Sequence, residues 1–193
     1  MTTPVLALPA AQVARALTVL SHPGLIRLVT DIDDNGPLHR RLLGRTFSDL
    51  PRHQVRSALD IARAHQLLRA GHRSEPCYAL TTRGTDLADV YDTLARWARA
   101  QQAPASASDF LTRVQHTLAL LRHDLVVSTA TDNTAGPPQA PHAVEGPLLP
   151  DADEAPSLHR PREAVSAWLS ANSSVLVGST RRSSAAARGE SIR

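Results

Sequence analysis

Eight arginines fall between residues 38 and 73: Arg40, Arg41, Arg45, Arg52, Arg56, Arg63, Arg69 and Arg73. Only Asp49 and Asp60 oppose them, so the stretch carries +6 before its histidines, His39, His53, His65 and His72, are counted. A guanidinium is always charged, and its planar fork of donors matches phosphate or the O6 and N7 edge of guanine. Charge concentrated in this way attracts polyanions and speeds their encounter. A solvated basic face is the competing reading of the same pattern. The formal net charge of +3 conceals the concentration: residues 1–128 hold 15 arginines and 11 acids, whereas residues 129–193 hold 6 arginines and 7 acids. None of the 21 basic residues is lysine, a choice that GC-rich codon usage explains, so placement rather than number is informative.

Catalytic chemistry finds no support in the residue pattern. The 193 residues contain no Gly-rich phosphate loop, nucleophile elbow, paired cysteines, His-x-x-x-His pair or spaced carboxylates in an apolar frame. His116 and His123 share a helix face seven residues apart but lack further ligands, so neither a metal nor another cofactor is expected. The single cysteine, Cys77, excludes an internal disulfide and fits a reducing compartment; it reads as strand packing, with a redox switch as the alternative. No apolar run approaches the ~20 residues that span a bilayer, and no basic region precedes the N-terminal apolar stretch. A non-enzymatic cytoplasmic protein without a membrane partner is expected.

The arginines must be positioned by the elements around them. Val13, Leu17 and Leu20 recur at helical spacing until Pro23-Gly24 ends the pattern. Leu25, Leu28, Val29 and Ile32 form a second stripe, closed by Asp34-Asn35-Gly36-Pro37. Residues 38–44 suggest a short third helix with Leu38, Leu42 and Leu43 inward. A longer helix follows, capped by Ser48 or Asp49, with Pro51 in its first turn and an end at Leu68 or Arg69. Its Val55, Ala58, Leu59 and Ala62 share one face, while His53, Arg56, Ser57 and Asp60 point away, with Arg52 and Arg63 on the flank. Asp60 repels phosphate, so only the first two turns suit a nucleic acid, as for a helix entering the major groove by its N-terminal end. His72-Arg73, Ser74-Glu75-Pro76 and Cys77–Leu80 then read as strand, turn and strand. A helix beginning near Thr82–Thr85 carries Leu87, Val90, Tyr91, Leu94, Trp97 and Ala98; Ala103-Pro104 breaks it. Asp109 opens another, with Phe110, Val114, Leu118, Leu121 and Leu125 on one side.

The order of helix, helix, short helix, longer helix with a basic start, hairpin and helix is that of a winged helix-turn-helix. Tyr78-Ala79-Leu80-Thr81-Thr82-Arg83-Gly84 resembles the Y-x-L-T-x-x-G signature closing the wing in HxlR-type regulators, relatives of the MarR and ArsR groups. Gly36-Pro37 matches a Gly-Pro of that family, and Leu59 through Leu68 is similar to its L-x-x-L-x-x-x-G-L stretch, with Gln66 in place of glycine. The likeness covers about residues 10–100. Two family features differ: His22-Pro23-Gly24-Leu25 stands where a Lys-Trp pair is usual, and the N-terminal reactive cysteine of some members is missing.

The resemblance implies a mainly α fold with a small β-hairpin wing, and a DNA-binding transcriptional regulator that acts as a homodimer. It places the recognition helix at about 51–69 and the wing at about 71–77. Double-stranded DNA would be contacted by Arg52, His53, Gln54, Arg56 and Ser57 of the helix and by His72, Arg73 and Ser74 of the wing. The dimer interface would use Leu87, Val90, Tyr91, Leu94, Trp97, Phe110, Val114, Leu118 and Leu121. Arg63 and Arg69 read as solvated, and His65 as a packing histidine. The rival function is a winged-helix interaction module that binds an acidic protein and has lost specific DNA binding.

The expected organisation is a DNA-binding domain at 10–102, a dimerisation helix at 108–128 and a disordered, acidic, Pro-rich linker at 129–160. A short helical segment at 161–177 and a disordered Ser/Arg tail at 178–193 follow. Val165, Trp168 and Leu169 give the short segment an apolar face that docks on the domain or on a protein partner.

Overall fold

The computed structural model describes residues 9–71, 76–105, 108–132 and 157–186, with side chains through 127 and 172 in the last two stretches. Among these residues the chain forms seven α-helices and a three-stranded antiparallel sheet. The wing residues His72, Arg73 and Ser74 lie outside the described residues, as do positions 133–156 of the expected linker and the last seven of the expected tail. No described helix is long and apolar enough to cross a membrane.

Helices α1 (Ala10–Leu20) and α2 (Pro23–Asn35) are separated by a junction written into His22-Pro23-Gly24. The His22 side chain accepts a hydrogen bond from the Leu25 amide (3.3 Å) and caps α2, and Pro23 occupies a first-turn position that needs no donor. Gly24 permits close packing: a Cβ there would stand 2.9 Å from the Gln54 carbonyl oxygen of α4 (Arg52–Ala64). α2 is the centre of the fold, burying Leu25, Ile26, Leu28, Val29 and Ile32 against α4 and α5 (Thr82–Ala100).

A single short helix over 38–44 does not form. Leu38–His39 is strand β1, Arg40–Leu42 a 3-10 turn, and Leu43–Thr46 the short helix α3. The cause is pairing: Leu38 and His39 stand opposite Tyr78 and Cys77 of β3 (Cys77–Leu80), and the Arg40 amide extends the ladder to the Pro76 carbonyl (2.9 Å). Leu38 is buried as expected, but Leu42 is 48% exposed. Phe47 supplies the inward anchor instead.

Helix α4 starts and stops differently from expectation. Pro51 itself is the N-cap, with no side-chain cap from Ser48 or Asp49. The helix ends at Ala64, because Gln66 takes a left-handed conformation with φ 55. The Leu67 amide reaches back to the Ala62 carbonyl (2.8 Å) and the Gln66 amide to that of Arg63 (3.0 Å), which is a Schellman closure. Leu68–Ala70 is therefore strand β2, antiparallel to β3 in the sheet order β1-β3-β2.

α5 carries the stripe read from the sequence, with Leu87, Tyr91 and Leu94 fully buried. The Tyr91 hydroxyl donates to the Leu20 carbonyl (2.9 Å), and burial pushes that phenol far above its usual range. The face it presents is covered within one chain. α6 (Phe110–Asp132) and α7 (His159–Ala186) both pack on α5. Leu87, Val90, Tyr91, Leu94, Val114, Leu118 and Leu121 are consequently core residues of the single chain rather than a free dimer surface. Trp97 and Phe110 are half-buried, and the Trp97 indole donates to the Ser157 carbonyl (3.1 Å). An apolar stripe states that a face is covered but not by what, and here the C-terminal helices supply the cover.

α7 docks by Val165, Trp168 and Leu169, and the Trp168 indole donates to the Arg83 carbonyl (3.1 Å). These side chains are thereby used within the chain rather than held for a partner. Both C-terminal helices outrun expectation, reaching Asp132 and Ala186, so residues 178–186 are helical where a disordered tail is expected. Alanine and arginine favour helix once a docked first half has nucleated it.

Candidate nucleic-acid interface

α4 has two faces with different work. Ala58, Leu59 and Ala62 are buried against α2, which fixes the helix axis. On the other side Arg52, His53 and Arg56 are exposed, and Gln54 and Ser57 are half-exposed. The structure thus brings together the five helix residues read as contacts. The guanidinium groups of Arg52 and Arg56 have no protein partner among the described residues, and neither has that of Arg45 in the preceding α3.

The start of α4 is electrostatically unusual. A helix N-terminus carries partial positive charge and favours acids in its first turn. α4 has none there, has no side-chain cap, and instead presents Arg52 and His53. The Arg52 cation at this exposed helix end costs about 0.3–1 kcal/mol. An anion docked on the first turn would offset this cost, meeting the uncapped amides and both side chains.

Three further arginines of the basic stretch, Arg40, Arg63 and Arg69, make side-chain contacts within the chain. Arg63 Nη2 donates to the Tyr78 hydroxyl (2.7 Å), and Arg69 Nε donates to the Leu80 carbonyl (3.2 Å). Arg63 also lies 3.6 Å from Asp60, in an exposed pair of the kind worth little. Both remain exposed, as the solvated reading expects, but each also makes a specific contact within the chain. Arg40 and Arg63 both approach the Tyr78 ring, at 5.0 and 5.3 Å from its centroid. No local pattern in the sequence signals this trio, because its members come from β1's end, α4 and β3.

The Tyr78-to-Gly84 segment has a structural reason for its residue types. Thr81 Oγ1 accepts from the Gly84 amide (3.3 Å), capping α5, and donates to the Gln66 carbonyl (2.8 Å) at the end of α4. Gly84 sits on the Leu67 carbonyl so closely that a Cβ would stand 2.3 Å from that oxygen. Arg83 Nη1 donates to Gln66 Oε1 (2.9 Å). The segment therefore ties the exit of α4 to the entry of α5 and holds the hairpin between them in register.

Burial disfavours the charged form of two histidines. Burial lowers the His65 pKa, and its Nδ1 has no hydrogen-bond partner. It packs as the sequence suggests. Burial also lowers that of His22, where the capping bond needs an unprotonated nitrogen. Cys77 is half-buried and opposite His39.

A cavity of about 440 Å³ is lined by Asp31, Asp33, Asp34, Asp49, Asp92 and Asp109, with Arg27 paired to Asp49 at 3.6 Å. Burial and the neighbouring Asp89, Asp34 and Asp92 raise the Asp33 pKa. That negative lining repels phosphate. Among the described residues no group of three or more His, Cys, Asp and Glu is placed to hold a metal ion. Comparison with protein-family models, curated proteins and solved structures found no match for this chain.

Proposed function

We propose that this chain is a sequence-specific regulator of transcription that binds double-stranded DNA as a winged helix-turn-helix of the HxlR type. The observation that carries this reading is the first two turns of α4. Arg52, His53 and Arg56 project from a helix whose other side is locked by Ala58, Leu59 and Ala62, and the turn has neither acid nor side-chain cap. Arg52 and Arg56 are suited to guanine or phosphate, Gln54 to adenine. The connectivity supports the same reading: β1 lies between α2 and α3 and pairs with β3, and the β2–β3 hairpin follows α4 directly. Action as a homodimer in the cytoplasm belongs to this proposal, with the interface outside the α5 and α6 side chains that one chain already buries. No catalytic step or cofactor does.

The test is fluorescence anisotropy on a library of genomic duplex fragments at two salt concentrations. Tight binding to a subset, weakening steeply with salt, is expected. The rival reading, an interaction module for an acidic protein, is favoured by His22-Pro23-Gly24-Leu25 in place of the Lys-Trp pair of the family it resembles. Absence of duplex binding at low salt would decide for it.

A further inference from the structure

Tyr78 gathers three segments that are distant in the sequence. Its side chain is 5% exposed, and its hydroxyl accepts a hydrogen bond from Arg63 of α4 (2.7 Å). The Arg63 guanidinium carbon lies 5.3 Å from the ring centroid and that of Arg40 lies 5.0 Å from it, within cation–π range. Arg40 is itself pinned at its backbone, whose amide donates to the Pro76 carbonyl. As an acceptor, the Tyr78 oxygen is satisfied by the single donor from Arg63. A second cation on the same ring adds like-charge repulsion and no hydrogen bond. Both guanidinium groups also keep outward N–H donors: Arg40 is exposed and the Arg63 side chain is 51% exposed. Asp60, 3.6 Å from Arg63 and 67% exposed, neutralises that charge only weakly.

We propose that Arg40 and Arg63, held on the Tyr78 ring, form a clamp for a backbone phosphodiester beside the β2–β3 hairpin, where Tyr78 stands opposite Ala70. Tyr78 is the positioning residue. The clamp rests on the DNA-binding reading and adds to it a contact that fixes register on the duplex without reading bases. Its location at the junction of α4 and the sheet lets one phosphate be gripped while the first turns of α4 reach the groove. A pre-stacked guanidinium loses little freedom on binding, which is the advantage the aromatic mount supplies.

The experiment is an anisotropy titration of the full chain with a duplex that the wild type binds, at about 50 and about 200 mM salt. Arg40→Ala leaves every hydrogen bond of Tyr78 in place and so reads the clamp directly. It is expected to weaken specific and random duplexes alike and to reduce the slope of log affinity against log salt by about one. The affinity lost between the two salts then shrinks roughly 3.5-fold. Arg63→Ala should do the same, scored on folded protein. Tyr78→Phe keeps both charges and the ring, so its slope should match wild type while affinity falls less than in Arg63→Ala. Unchanged slopes in Arg40→Ala and Arg63→Ala, with the wild type still binding, would overturn the clamp and leave the DNA reading standing. A wild type that binds no duplex at either salt would overturn both.

Discussion

Replacing Gly84 by alanine sets two physical effects against each other, and the structure decides between them. On propensity alone, alanine in a helix is better than glycine by about 0.8–1.0 kcal/mol. At this position the new Cβ would stand 2.3 Å from the Leu67 carbonyl oxygen, 3.0 Å from Leu80 Cδ2 and 3.2 Å from Leu80 Cβ. The nearest atom is backbone, so rotamer changes cannot relieve the contact. α5 must move away from the end of α4 by roughly 1 Å, the shortfall from ordinary van der Waals separation. That movement strains the Thr81 amide bond to the Leu67 carbonyl (2.9 Å) and the Thr81 hydroxyl bond to the Gln66 carbonyl (2.8 Å). Overpacking costs about 1–3 kcal/mol, and the two hydrogen bonds contribute about 1 kcal/mol each. After subtracting the propensity gain, Gly84→Ala should destabilise the protein by about 2–4 kcal/mol. Urea unfolding followed by circular dichroism measures this. Gly44→Ala is the control, because nothing lies within 4 Å of a Cβ built there. It should be neutral or stabilising by about 0.4–1 kcal/mol. A Gly84→Ala protein as stable as wild type would show that α5 does not rest on the Leu67 carbonyl, and the account of the Thr81 to Gly84 junction would fail.

Four further outcomes are expected. Gln66→Gly relieves a side chain from the left-handed region but gives up the exposed bond to Arg83, so it should stabilise by about 0.5–1 kcal/mol in the same urea assay. Leu59→Ala truncates a side chain only 9% exposed and should cost about 2–5 kcal/mol, and a neutral result would mean the faces of α4 are reversed. Arg56→Ala should abolish specific duplex binding while thermal unfolding stays unchanged, and retained affinity would sink α4 as the reading helix. His65 has a folded pKa below 6.5, so between that lowered value and 6.5 the unfolded chain binds more protons; stability should fall as pH drops through this window. His65→Leu should reduce that dependence, leaving the contribution of His22 in the same direction, and unfolding curves at several pH values would show it.

The helices were largely legible because their signals are local. The stripes at Val13 to Leu20, Leu25 to Ile32 and Leu87 to Ala98 each sit on a helix whose inward face is the apolar one. His22-Pro23 and Gly36 mark real boundaries for equally local reasons, a cap, a fixed φ and a φ of 82. The side of α4 that bears Arg52, His53 and Arg56 was readable in the same way, since burial of Ala58, Leu59 and Ala62 forces the opposite residues outward.

Other features depend on contacts between distant residues. Two residues at 38 and 39 form a strand only because Cys77 and Tyr78 lie beside them. α4 stops at Ala64 because Leu67 turns into the core and Thr81 takes up the Gln66 carbonyl, although Gln66 is no glycine. Whether the α5 stripe faced a second copy of the chain or the chain's own α6 and α7 was open to either answer, because periodicity records burial and not its partner. The fate of Arg40 and Arg63 was equally open until folding brought both to one aromatic ring. Spacing along the chain thus sufficed for helix positions and faces, where neighbours within a turn govern the energy. Strand pairing, the end of α4 and the use of individual arginines were settled by groups distant along the chain, whose approach no local pattern encodes.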